Sequence, residues 1–111
     1  MVSKSFSYWR DRLAQATTAL EAARATAMAA RVPDDDIDTG RHGEPIAVSG
    51  WYEQRTISGR PAWRRCDWRD GRLHEEAPTY DPEAERALGD ASMLHYEATQ
   101  DYEMNHPASR R

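Results

Sequence analysis

Two short turn signals, Ser58-Gly59 and Asp70-Gly71, restrict this chain more than anything else in it, because each separates runs that alternate like strands. Two-residue hairpin loops need central residues at positive φ, where glycine carries no steric penalty and aspartate a small one. Val48 to Ile57, Arg60 to Trp68 and Arg72 to Ala77 therefore read as a three-stranded antiparallel meander within residues 46–77. If both loops are that short, Tyr52 pairs with Arg65, Trp51 with Cys66 and Ser49 with Trp68. Across the second turn Trp68 pairs with Leu73, Cys66 with Glu75 and Arg65 with Glu76. Side chains alternate across a sheet, so this register gathers Trp51, Ala62, Cys66, Trp68 and Leu73 on the buried face. The other face receives Tyr52, Trp63, Arg65, Asp67, His74 and Glu76.

Helices flank the meander. Phe6, Trp9, Leu13, Ala16, Leu20, Ala23, Ala27 and Ala30 recur at alternating spacings of three and four, which predicts a helix over residues 5–31. Val32-Pro33 ends it, and 33–45 is an acidic loop. Asp34, Asp36 and Asp38 alternate as in a calcium loop, but Thr39 stands where such a loop needs glycine and Pro45 where it needs the closing glutamate. No metal site is expected. Asp81-Pro82-Glu83 is a capped helix start, and Ala84, Leu88, Ala91, Leu94 or His95, Ala98 and Tyr102 carry a second helix over 82–104, followed by a loose tail, 105–111. The fold class is α+β in the order α-β-β-β-α, one domain in which two helices cover one sheet face. A 27-residue helix is about 40 Å long, more than a three-stranded sheet can cover, so something besides the sheet must cover its far end, either the second helix or another copy of the chain in a homo-oligomer through the N-terminal helix.

Charge is segmental. Residues 1–32 carry about +3, 33–50 about −4, 51–73 about +3, 74–104 about −8 and 105–111 about +2. The single Cys66 excludes an internal disulfide framework and points to a reducing compartment. No apolar run approaches the roughly 20 residues of a membrane span, and MVSKSFSYWRDRL has no continuous apolar stretch of the kind a signal peptide uses. The expectation is a cytoplasmic chain with no membrane partner. Abundant Ala, Arg, Asp and Glu beside one Lys resemble high-GC bacterial coding, as in actinobacteria or their phages.

Catalytic constellations are missing from the sequence. His42, His74, His95 and His106 are scattered, no metal-ligand spacing occurs, and Cys66 and His74 fall on opposite sheet faces in the predicted register. The expected function is a non-catalytic protein-binding module, an adaptor or an inhibitor, with a protein partner and no cofactor. Tyr52, Trp63 and Arg65 are of the types that dominate binding hot spots. Glu97, Asp101 and Glu103 give the second helix an acidic surface suited to a basic partner.

The alternative is DNA binding through Arg60, Arg64, Arg65, Arg69 and Arg72. The stretch SGRPAWRRCDWRDGRLHEEAPTYDPEAERAL resembles the small N-terminal DNA-binding domain of tyrosine recombinases over about residues 47–98. That resemblance implies a sheet face in the major groove with a helix packed behind it. Where that family is typically basic in the third strand, this chain has His74, Glu75 and Glu76, and its net charge of −4 also disfavours DNA.

Overall fold

The structure is a computed structural model and describes residues 5–39 and 50–107. It is α+β in the order the sequence predicts: helix α1 (Phe6–Ala29), strands β1 (Gly50–Gln54), β2 (Ala62–Arg69) and β3 (Arg72–Glu75), and helix α2 (Pro82–Asn105). The strands form one antiparallel sheet in the order β1-β2-β3. Two compact units divide the chain, one of residues 1–26 with 86–111, the other of residues 27–85. The last turn of α1 and the first turn of α2 belong to the same unit as the sheet.

Asp70 and Gly71 have φ of 53° and 71°, the paired positive values of a two-residue hairpin loop. The β2–β3 register follows from it: Cys66 opposes Glu75, Asp67 opposes His74 and Trp68 opposes Leu73. Ser58-Gly59 behaves differently. The β1–β2 ladder stops at Gln54 opposite Ala62, leaving residues 55–61 as a longer loop. Asp36, in a 3-10 turn at Asp34–Asp36, accepts hydrogen bonds from the Ser58 backbone N–H at 2.8 Å and its hydroxyl at 2.9 Å. The chain on either side is held too, with Ile57 N–H donating to the Asp36 carbonyl and Asp38 N–H to that of Arg55. Pro61 has no N–H to extend the ladder.

This loop moves the β1 register by one residue and turns β1 over. Trp51 opposes Arg65 and Tyr52 opposes Arg64, where a two-residue loop predicts Cys66 and Arg65. Gly50, Tyr52, Gln54, Ala62, Arg64, Cys66, Trp68, Leu73 and Glu75 thus share one face. Trp51, Glu53, Trp63, Arg65, Asp67 and His74 share the other. Ala62 and Cys66 are fully buried, as the sequence reading expects. The predicted Ser49–Trp68 pair lies outside the described residues.

Beyond β3 the chain stays beside β2, with one residue inserted. Cys66 opposes Glu75, yet Trp63 opposes Thr79, so four residues on one strand match three on the other. The bulge removes Pro78, which has no N–H, from the position opposite Trp63 and puts Thr79 there. Thr79 and Trp63 exchange both backbone hydrogen bonds, at 2.8 and 2.9 Å. The Thr79 hydroxyl donates to the Ala30 carbonyl at 3.1 Å and accepts from the Asp81 N–H at 3.0 Å. Asp81 in turn caps α2, its carboxylate accepting from the Glu83 N–H at 3.1 Å. Thr79→Val keeps the shape, removes one bond to Ala30 and orphans the Asp81 N–H. It is expected to lower unfolding free energy by about 1–3 kcal/mol in denaturant titration, whereas Thr79→Ser, which keeps the hydroxyl, loses less.

Candidate interaction surfaces

In the unit of residues 1–26 and 86–111, α1 and α2 run antiparallel. Phe6 packs its ring 5.2 Å from both Tyr102 and His106, while Arg12 forms an ion pair and hydrogen bond with Asp101. The predicted α1 stripe is the inward one: Phe6, Trp9, Leu13, Ala16, Leu20 and Ala23 are all half-buried, and Ala14, Gln15, Thr18 and Ala19 beside them are exposed. On α2 the ambiguity between Leu94 and His95 resolves to His95, which is half-buried, whereas Leu94 is 58% exposed. Ala98 is buried at the centre of that stripe.

The outward side of α2 carries large apolar side chains. Met93, Tyr96 and Met104 are 63%, 65% and 72% exposed. At about 3.6 residues per turn they fall on one side of the helix with Gln100 between them. Glu97 flanks this stripe on one edge and Glu103 on the other, and both are exposed. Asp101 is half-buried and held by Arg12. The three predicted acidic residues therefore form no single patch; two of them border an apolar stripe that the sequence reading passed over. Its signal was present in the chain, as large apolar residues at i, i+3 and i+11 displaced from the inward heptad.

The sheet cluster predicted from Tyr52, Trp63 and Arg65 is divided by the β1 register. Trp63 and Arg65 share a face with Trp51, and Tyr52 lies on the opposite one. Arg65 makes an ion pair with Asp67 at 3.5 Å. Both tryptophans on that face are half-buried. The five arginines of the DNA alternative are also dispersed. Arg64 shares the face of Cys66, its side chain only 19% exposed, and makes a 3.2 Å ion pair with Glu75. Arg60 lies over the Tyr80 ring, 3.8 Å from its centroid. Arg69 and Arg72 are exposed beside the Asp70-Gly71 turn.

Electrostatic perturbations at Cys66 and at the Asp36–Tyr80 pair serve the fold. Burial, then the nearby Glu75 carboxylate, push the Cys66 thiol up, so it is a poor nucleophile at neutral pH. Asp36 accepts a short hydrogen bond from the Tyr80 hydroxyl, which with the Ser58 bonds holds its carboxyl below the usual range and raises the Tyr80 phenol above its own. No protein-family model matches the chain, and neither a curated protein nor a solved structure matches it. These comparisons lend the resemblance to the recombinase domain no support. Among the described residues no helix is long and apolar enough to cross a membrane.

The Asp36 cluster gives a pH signature. Asp36, with a lowered folded pKa, adds stability above its unfolded value of about 4 and loses it as pH falls through the folded value. Tyr80, with a raised folded pKa, adds stability below about 10 and loses it as pH rises through its folded value. Stability measured by denaturant titration should fall at both extremes. Asp36→Asn should flatten the acid limb, and Tyr80→Phe should flatten both while lowering the plateau at neutral pH.

Proposed function

We propose that this chain is a non-catalytic protein-binding module whose recognition element is the outer stripe of α2, formed by Met93, Tyr96 and Met104 and edged by Glu97 and Glu103. The observation that carries this reading is the exposure of three large apolar side chains along three turns of one helix. Water-exposed Met and Tyr gain free energy when a partner covers them. Anchors repeated along one side of a helix fit an apolar groove on a second protein, and Met adapts its shape to such a groove. The flanking glutamates favour a groove with a basic rim, which steers encounter and excludes acidic competitors.

The nucleic-acid reading has less support. The unit that holds the sheet carries eight arginines against thirteen aspartates and glutamates. Of the five arginines proposed for a phosphate-binding rim, Arg60, Arg64 and Arg65 already face Tyr80, Glu75 and Asp67. Neutralising several phosphates requires basic side chains that reach outward together, and Arg69 and Arg72 alone supply a small part of that.

A photoreactive amino acid at Gln100 tests the reading directly in cells that produce the protein. One protein should cross-link, and the cross-link should be lost in Met93→Glu and reduced in Tyr96→Ala, whose truncation should weaken binding by about 2 kcal/mol, roughly thirtyfold. Cross-linking insensitive to both changes, or a duplex-DNA complex abolished by Arg69→Ala with Arg72→Ala, would sink it.

A further inference from the structure

The β1–β2 pair admits two registers, and the structure holds the one that the Ser58-Gly59 turn signal alone does not predict. Tyr52 opposes Arg64 and Glu53 opposes Trp63. A two-residue Ser58-Gly59 loop sets Tyr52 opposite Arg65 and Glu53 opposite Arg64, one residue along. Between the two stands the hold of Asp36 on Ser58, through bonds of 2.8 and 2.9 Å, together with the main-chain bonds that Asp36 and Asp38 make to Ile57 and Arg55. We propose that Asp36 and Ser58 form a clasp that selects between two registers of β1, and that opening it lets β1 move by one residue and exchange its two faces.

Three observations support the second register. The first is Arg64, whose Nε is buried and meets no acceptor, although its Nη1 lies 3.2 Å from Glu75. A buried N–H without a partner is a standing cost. Glu53 is exposed on the opposite face of the sheet, but the shift sets it directly across from Arg64 on the same face, where its carboxylate can accept from Nε. The second is the position opposite Cys66, which Gly50 occupies with a φ of 148°. A side chain there would begin in open space, with no heavy atom beyond its chain neighbours within 4 Å of its Cβ. The shift gives this position to Trp51.

The third observation is the strand itself. Among the described residues β1 is a five-residue edge strand paired in the sheet with β2 alone, so a slip breaks one ladder and leaves β2–β3 untouched. Trp63 and Arg65 direct their backbone bonds to Thr79 and Glu76, away from β1, so alternation gives the bonds toward β1 to Arg60, Ala62, Arg64 and Cys66. Pro61 lies between two of these and does not oppose the shift. The two registers present different surfaces. With the clasp closed, Trp51 stands with Trp63 and Arg65; with it open, Tyr52 and Gln54 replace Trp51 there. The clasp thus decides which aromatic side chain the sheet offers beside Trp63. Every residue involved belongs to the unit of residues 27–85, so the device is independent of the outer α2 stripe.

Nuclear Overhauser contacts between backbone Hα protons read the register of the full chain directly, because facing Hα protons come close at the pairs that exchange no hydrogen bonds. The unmodified chain should show Trp51–Arg65 and Glu53–Trp63 contacts. In Asp36→Ala, Tyr52–Arg65 and Gln54–Trp63 contacts should replace them in the major form, while the Trp68–Leu73 contact across the second turn persists. Losing the two bonds to Ser58 should change the ratio of the registers at least about tenfold. A folded Asp36→Ala chain that keeps the Trp51–Arg65 contact would overturn the proposal. Were Asp36→Ala to lose the sheet, Ser58→Asn decides, because Asn-Gly is a preferred pair for a two-residue loop and the change leaves Asp36 in place. The Tyr52–Arg65 contact is then expected. Its absence, whether β1 keeps the present register or leaves the sheet, would overturn the proposal equally.

Discussion

The fully buried side chain of Thr79 holds three segments of the chain in one place. Its backbone pairs with Trp63 of β2, its hydroxyl donates to Ala30 at the end of α1, and the same oxygen receives the Asp81 N–H at the start of α2. The carbonyl of Ala30 also accepts from the Tyr80 N–H at 2.8 Å, and Val32 N–H donates to Pro78 at 2.9 Å. Thr79, Val32 and Pro78 are buried, so each of their polar groups must find a partner inside the protein or lose about 1–3 kcal/mol. The bulge before Thr79 is part of the same solution. Without the extra residue Pro78 would face Trp63, and the ladder would lack a donor where α1, β2 and α2 converge.

How far the sequence specifies this fold depends on the distance over which each signal acts. Asp70-Gly71 encodes its turn within two residues, and both the turn and the β2–β3 register appear as read. The α1 heptad is also local, and its residues are the less exposed ones throughout. Ser58-Gly59 carries the same kind of signal and does something else, because Asp36, 22 residues earlier, takes both polar hydrogens of Ser58. A contact of that range leaves no mark in the loop itself. Its consequence is large, since a register change of one residue moves every β1 side chain to the opposite face.

The candidate surfaces show the same division. Tyr52 drops out of the predicted aromatic cluster, and Trp51 enters it, through the one-residue change in the β1 register. Arg64 and Arg65 are adjacent and chemically identical, yet one lies largely buried against Glu75 and the other is exposed beside Asp67; strand alternation separates them once the ladder is known. The acidic residues of α2 were legible as charges but not as a surface, because Asp101 is held by Arg12 of the antiparallel helix. Met93, Tyr96 and Met104 were legible in principle. Their departure from the inward heptad needs only the helical period, and it becomes a surface once His95, not Leu94, is known to turn inward.

Alanine connects these observations. Among the described residues the largest fully buried side chains are Thr79 and Cys66, and four of the six buried hydrophobic residues are alanines. One buried methylene-sized group contributes about 0.8 kcal/mol, whereas ordering one backbone residue costs about 1–2 kcal/mol. Alanine favours the helix itself, since it loses no side-chain entropy there. It cannot make a two-helix pair bury much surface. A chain that places alanines along both helices buries little there, and Leu94, Met93, Tyr96 and Met104 stand at the surface. The free energy still to be gained lies in covering them. Met93, Tyr96 and Met104 stand together on one acidic-edged side of α2, and Leu94 stands apart from them, lining the alanine-rich groove.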